Sequence, residues 1–173
     1  MTAQRSDDEF PAVTYRAVGR VCSPFTRLEG MPLQSVAAGG VRASVEVRPD
    51  LVPGLRDLDG FSHLHLITHL HLQRAEPGGL EVVPFLDDTV RGIFATRSPR
   101  HPNPIGISVV RLLAVTGGVL EIEGVDLLDG TSVLDIKPYV PAFDSFTAER
   151  TGWLEQAAHR VHEARADRRF DEG

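Results

Sequence analysis

The chain has one cysteine, Cys22, and one lysine, Lys137, in 173 residues. A single thiol makes no internal disulfide, and it rules out any zinc site built from several cysteines. No run of about 18 apolar residues occurs, so no membrane-spanning helix is expected. The first residues, Met1 to Phe10, are polar and acidic and lack the apolar stretch of a signal peptide. No G-x-G-x-x-G follows a strand-like segment, which leaves the usual dinucleotide-binding fold without support. Positive charge is also in deficit: the net charge is −6, which gives no generic attraction to nucleic acid. These absences together describe a cytoplasmic protein with no membrane association.

What is present is an ordinary globular composition, 42% hydrophobic, in a chain long enough for one domain with a buried core. Residues 1–12 read as a flexible arm. Seven short segments rich in Val, Ile and Leu then follow: Val13–Val21, Val41–Arg48, Ser62–Leu72, Arg91–Ala95, Ile107–Val115, Val119–Asp126 and Ser132–Ile136. Gly and Pro turns separate them, with a helical turn expected in Leu51–Gly60. That rhythm predicts a mainly β fold, a closed antiparallel β-barrel of about seven strands, rather than alternating βαβ units. From Thr147 to Arg169 the period changes. Trp153, Leu154, Ala157, Ala158, Val161 and Ala164 recur at helical spacing. A C-terminal amphipathic helix is therefore expected within a tail spanning 146–173, packed on the barrel or on a partner subunit.

Three segments carry candidate chemistry. In Arg97-Ser98-Pro99-Arg100-His101-Pro102-Asn103-Pro104-Ile105-Gly106, three prolines in six positions fix three φ angles and remove three donors. This is a stiff loop between strands, either a plain surface connection or one wall of a pocket. Arg97 can fork onto a carboxylate, and Asn103 offers donors and an acceptor to a purine edge. In the second segment, Asp129-Gly130 between apolar runs is a strong two-residue hairpin signal. That hairpin pairs Leu128 with Thr131, Asp126 with Val133 and Gly124 with Asp135. Asp126 and Asp135 then become diagonal neighbours on one face. Lys137 joins them there opposite Ile122, and Gly124 leaves room above the sheet. Val125, Leu127, Leu134 and Ile136 take the core face. Such a cluster is either a satisfied surface ion group or a site for an ammonium, a diol or a proton transfer.

The third segment, Phe61 to Leu72, alternates with period two. His63, His65, Ile67, His69 and His71 lie on one face; Leu64, Leu66, Thr68, Leu70 and Leu72 lie on the other. Two His-x-His pairs suggest zinc, but their spread over nine positions favours a histidine-lined wall, and no metal site is assigned. Ser23-Pro24 after the first segment reads as a turn rather than a nucleophile site.

In this order the segments resemble the TsaA-like (TrmO-type) family of β-barrel S-adenosylmethionine-dependent methyltransferases. The resemblance runs from about Val18 to Asp144 and rests on seven stretches. They are Ser23-Pro24-Phe25, Gly30-x-Pro32-x-Gln34, Phe61-Ser62-His63-Leu64, Gly92 to Pro99, Pro102 to Gly106, Asp126 to Thr131 and Val133 to Tyr139. It implies a TsaA-like methyltransferase domain over 13–145, S-adenosyl-L-methionine as cofactor, and a homodimer whose loops bind it. Carried onto this chain, it implicates Gln34, Ser35, His71, Leu72, Arg97, Ile107, Gly124, Val125, Asp126 and Leu127 in cofactor binding, with Asn103 added from the loop reading. Asp126 and Asp135 become candidate bases and Lys137 their orienting partner, three catalytic candidates in all.

The implied reaction is N6-methylation of threonylcarbamoyl-adenosine 37 in tRNA. Three departures stand out. His101 occupies a usual Arg position and Ser132 a usual Pro position. About 28 residues follow Ser145, where tRNA-acting bacterial members continue into a further domain. That difference and the acidic balance argue against tRNA as the acceptor. The alternatives are a small-molecule acceptor on the same barrel, or a non-catalytic S-adenosylmethionine- or metal-binding module.

Overall fold

The computed structural model describes residues 10–72 and 79–167. The expected arm at 1–12 falls mostly outside these residues. Eight strands occur in chain order: β1 Gly19–Cys22, β2 Arg42–Val47, β3 His63–His69, β4 Glu81–Val82, β5 Arg91–Gly92, β6 Ile105–Thr116, β7 Val119–Glu123 and β8 Ser132–Pro138. Six of them close an antiparallel barrel in the order β1-β2-β7-β6-β3-β8, with β8 returning to β1. The expected strand at Arg91–Ala95 is not a barrel strand. Its first two residues pair with Glu81–Val82 outside the barrel, and Ile93–Ala95 turns as a 3-10 helix. The barrel therefore has six strands where about seven were expected. Among the described residues, no helix is long and apolar enough to cross a membrane.

The alternation read from the sequence governs the interior. Leu64, Leu66 and Thr68 of β3 point inward, and the histidines between them point out. They meet Val21, Val45, Val110, Leu112, Leu120, Ile122, Val125 and Val133 in one core. Each such side chain, buried whole, contributes about 1.5–3 kcal/mol. The Leu51–Gly60 stretch holds the expected helical turns, as 3-10 turns over Pro49–Leu55 and Leu58–Gly60.

Two expectations fail here. The Asp129-Gly130 turn forms, with Gly130 at φ 77 and the Thr131 amide donating to Leu128. Yet it does not join a hairpin, because β7 pairs with β2 and β6 while β8 pairs with β1 and β3. Lys137 lies opposite His65 rather than Ile122, and Asp135 lies opposite Ile67. A bulge at this point shifts the phase of β8, so Val133 takes a core position and Asp135 faces outward beside Ile67.

The second failure is the C-terminal helix. Residues 151–164 instead form consecutive tight turns, with 3-10 helices at Gly152–Glu155 and Ala158–His162. The inward stripe is nearly as expected, with Ala157 buried and Trp153, Leu154, Val161 and Ala164 half-buried; Ala158 is exposed. Gly152 enters at φ 60, and the chain leaves to pair Arg165 with Pro32. A 3-10 path rises about 2.0 Å per residue against 1.5 Å for an α-helix. These tertiary contacts outweigh local helix preference.

Candidate functional site

At the end of the barrel where β3 finishes and β6 begins, the strands leave an open cleft. Its volume is about 60 Å3. Leu70, Leu72, Met31 and Leu127 give it apolar walls; His71, Pro99, Thr131 and Asp126 also line it. His71 and Leu72 lie in the turn just past β3, where the alternation of faces ends, and both line the cleft.

Asp126 is the acidic residue on the lining of the cleft. The Ser108 hydroxyl, inward on β6, donates to it at 2.6 Å, and the Ser35 amide donates as well. Burial pushes its carboxyl above the usual carboxylate range, while Ser108, its own amide, the Ser35 amide and the Arg97 charge pull the other way. The result is a carboxyl whose proton affinity is tuned by its surroundings, a common mark of functional sites. Ser108 went unnoticed in the sequence. Its signal was a lone hydroxyl at an inward position of an apolar strand.

Arg97 donates through Nη1 to the Gln34 side chain at 2.9 Å. The loop before β2 and the Pro-rich loop are thus fastened together at the cleft. Local hydrogen bonds hold the path of the Pro-rich loop. The Thr96 hydroxyl accepts the Ser98 amide and the Ser98 hydroxyl accepts the Arg100 amide, while Pro104 accepts the Leu70 amide. His101 points its ring nitrogen at the Thr96 carbonyl, 3.2 Å away, and stands edge-on to Phe94. It braces the loop one residue from Arg97.

Of the expected residues, His71, Leu72, Asp126 and Leu127 line the cleft, while Ser35 and Arg97 stand beside Asp126 and Gln34 is bonded to Arg97. Gly124 sits beside Ser35 and turns at φ 87, so its role is the left-handed turn that aims Asp126 rather than vacant space above a sheet. Val125 is fully buried in the core, which leaves only its backbone to face a ligand. Asn103 is exposed on the loop and does not line the cleft.

Asp135 and Lys137 do not converge with Asp126. They form an exposed ion pair of 2.7 Å on the outer face, with side chains 47% and 65% exposed. Ile107 shares that face, 54% exposed, opposite Ile67. The failed hairpin explains the separation. Neighbours on a β7–β8 ladder would share a face, but β6 and β3 stand between those strands. The outer histidines also part company: His65 lies 3.6 Å from Asp144 against the Tyr139 ring, and His63 meets Ser62.

The family model of the tRNA-methyltransferase O N-terminal domain matches residues 20–145. A Pyrococcus abyssi protein named "Probable S-adenosyl-L-methionine-binding protein" is 49% identical over 158 residues, covering 91% of this chain and 85% of its own. The tRNA (adenine(37)-N6)-methyltransferase of Mus musculus is 35% identical over 133 residues, covering 74% of this chain and 31% of its own. The crystal structure of TrmO from Pseudomonas aeruginosa superposes with a TM-score of 0.68 at 38% identity. That match covers 82% of this chain and 62% of that one. The chain thus spans most of the archaeal relative's length and under a third of the mammalian enzyme's.

Proposed function

The chain belongs to the family of the tRNA-methyltransferase O N-terminal domain, and from that membership we propose that it is an S-adenosyl-L-methionine-dependent methyltransferase whose cofactor occupies the cleft at Asp126. The observation that carries the reading is the convergence on that cleft of Arg97, Gln34, Ser35 and Asp126 from three separate loops. The donor set suits the group. One Arg97 nitrogen is held by Gln34, which leaves the remaining guanidinium donors for the cofactor's carboxylate. The apolar walls at Leu70, Leu72, Met31 and Leu127 suit the adenine ring.

When bound, the cofactor supplies a methyl group on a positively charged sulfur. The chain's residues align the acceptor and manage its proton. Asp126 would take up the proton that an acceptor nitrogen gives up on receiving that methyl group. Ser108 holds that carboxylate in place.

A drug-sized ligand needs a pocket of roughly 300–1,000 Å3, and this cleft measures about 60 Å3. We infer that a second copy completes it. The outer face carrying Ile105 and Ile107, both about half exposed, with Asp135 and Lys137 beside them, is the candidate mating surface. Ile107, Asp135 and Lys137 then act at the partner's cleft. A sedimentation measurement that finds only monomers removes this part of the reading.

The acceptor favoured here is N6 of threonylcarbamoyl-adenosine 37 in cytoplasmic tRNA, the tRNA adenine being the substrate named for the mammalian relatives. The test is transfer of labelled methyl from S-adenosylmethionine into tRNA that carries the threonylcarbamoyl group but lacks the methyl. Label in the 37 position supports the reading. No incorporation, with the cofactor bound, moves the assignment to a small-molecule acceptor.

A further inference from the structure

The segment after Ser145 touches the chain leading into the Arg97 loop and the chain around Gly30–Ala37. The Trp153 indole N–H donates to the Ala95 carbonyl at 2.8 Å, two residues before Arg97. Its ring lies under the Arg91 guanidinium, 5.7 Å from centroid to carbon, and Arg91 is itself held by Asp87 at 2.8 Å. Arg160 donates to the Leu86 carbonyl. Further on, the chain crosses to the other side of the cleft. The Gly30 amide donates to Ala166 at 2.9 Å, and the Ala166 amide returns to Met31 at 2.9 Å. Between these two anchorages, the turn at Ala158–His162 packs on the Ser35–Ala37 turn, whose first residue gives its amide to Asp126.

These contacts share one geometry. The Arg97 side chain joins its loop to the Gln34–Ser35 loop through its bond to Gln34. Neither loop belongs to the barrel ladder. The tail grips both from behind, at Leu86 and Ala95 on one side and at Gly30 and Met31 on the other. A chain spanning two otherwise separate loops fixes the distance between them. Fixing it before a ligand arrives removes an ordering cost from binding.

We propose that the C-terminal segment from Gly152 to Ala166 is a strap that sets the spacing of the two cofactor loops, with Trp153 as the positioning residue for Arg97. This rests on the cleft being the S-adenosylmethionine site, and it goes beyond that reading in assigning part of the site to a segment outside the 20–145 family match. Trp153 touches no reacting atom; it acts through the Ala95 carbonyl and the Arg91 stack. Its loss therefore weakens ground-state binding of the cofactor rather than the chemical step.

The experiment uses the full chain with Trp153→Ala and Trp153→Phe, the latter keeping a ring over Arg91 but lacking the indole donor. Three quantities are read: the Kd for S-adenosylmethionine, the thermal midpoint, and hydrogen exchange at the Thr96 and Ser98 amides. The strap predicts a Kd raised about 5- to 20-fold in Trp153→Ala, with a smaller rise in Trp153→Phe, at the scale of one lost hydrogen bond and a stacked cation. KM rises in step while kcat at saturation stays near wild type, and Thr96 and Ser98 exchange faster in both variants. An unchanged Kd with unchanged exchange overturns the strap, as does a lowered midpoint with neither quantity moved. If the wild type itself binds no S-adenosylmethionine, the cofactor reading fails. Faster exchange at Thr96 and Ser98 then still supports the mechanical link, and unchanged exchange overturns it.

Discussion

Asp126 sits where burial and hydrogen bonding oppose each other. Burial is the larger influence and raises its proton affinity in the folded chain; Ser108, the amides and Arg97 offset part of that rise. A carboxyl whose folded pKa lies above its unfolded value binds its proton more tightly in the native state. Its contribution to stability is fullest at acid pH and is lost as pH rises through the raised value. Asp126→Asn abolishes that loss. Thermal midpoints measured across a pH series should fall for the wild type on the alkaline side of the usual carboxylate range, and fall less for the variant. Methyl transfer by the variant should drop by about 100-fold or more, the scale of a lost general base. Parallel midpoints at every pH would show that Asp126 carries no buried-charge cost. At this scale Arg97 and Asp126 stood out by residue type, and Gln34 and Ser35 only through the family resemblance; all four lie close together in the structure. Ser108 did not stand out, because its role depends on which strand faces Asp126.

The elements show why partial knowledge of the site was attainable. Alternation along β3 separated its inward leucines from its outward histidines correctly, since a period of two needs no knowledge of the partner strand. Pairing does need it. The Asp129-Gly130 turn is real, but a local turn does not decide which strand lies next to the following one, and the ladder order placed β6 and β3 between β7 and β8. Asp135 and Lys137 were misplaced for that reason and because the bulge shifts the phase of β8. The β3–β6 crossing yields its own prediction. A methyl group added at Gly106 would stand 2.6 Å from the Thr68 hydroxyl and 3.0 Å from Leu70. Thr68 is wholly buried and cannot turn away without disturbing the core. Gly106→Ala should cost about 1–3 kcal/mol of unfolding free energy in denaturant titration. A loss below about 0.5 kcal/mol would mean that this end of the barrel yields easily.

For the whole molecule, a mainly β barrel was legible because short Val- and Leu-rich segments between Gly and Pro turns admit few other arrangements. The tail was legible only in part. Its inward residues, Trp153, Leu154, Ala157, Val161 and Ala164, were those of the expected helix, but the path was set by anchors at Ala95 and Met31 that no local pattern encodes. If the strap proposal holds, the functional unit extends from the barrel into the tail, with the two loops meeting at Arg97 and Gln34. The most direct test of this account is a calorimetric titration of S-adenosylmethionine into the full chain and into Arg97→Ala. The account predicts one cofactor bound per chain, with Kd weakened about 10- to 100-fold in the variant, as befits a lost charge-assisted hydrogen bond. Absence of binding to the wild type, or equal affinity in the two proteins, would contradict it.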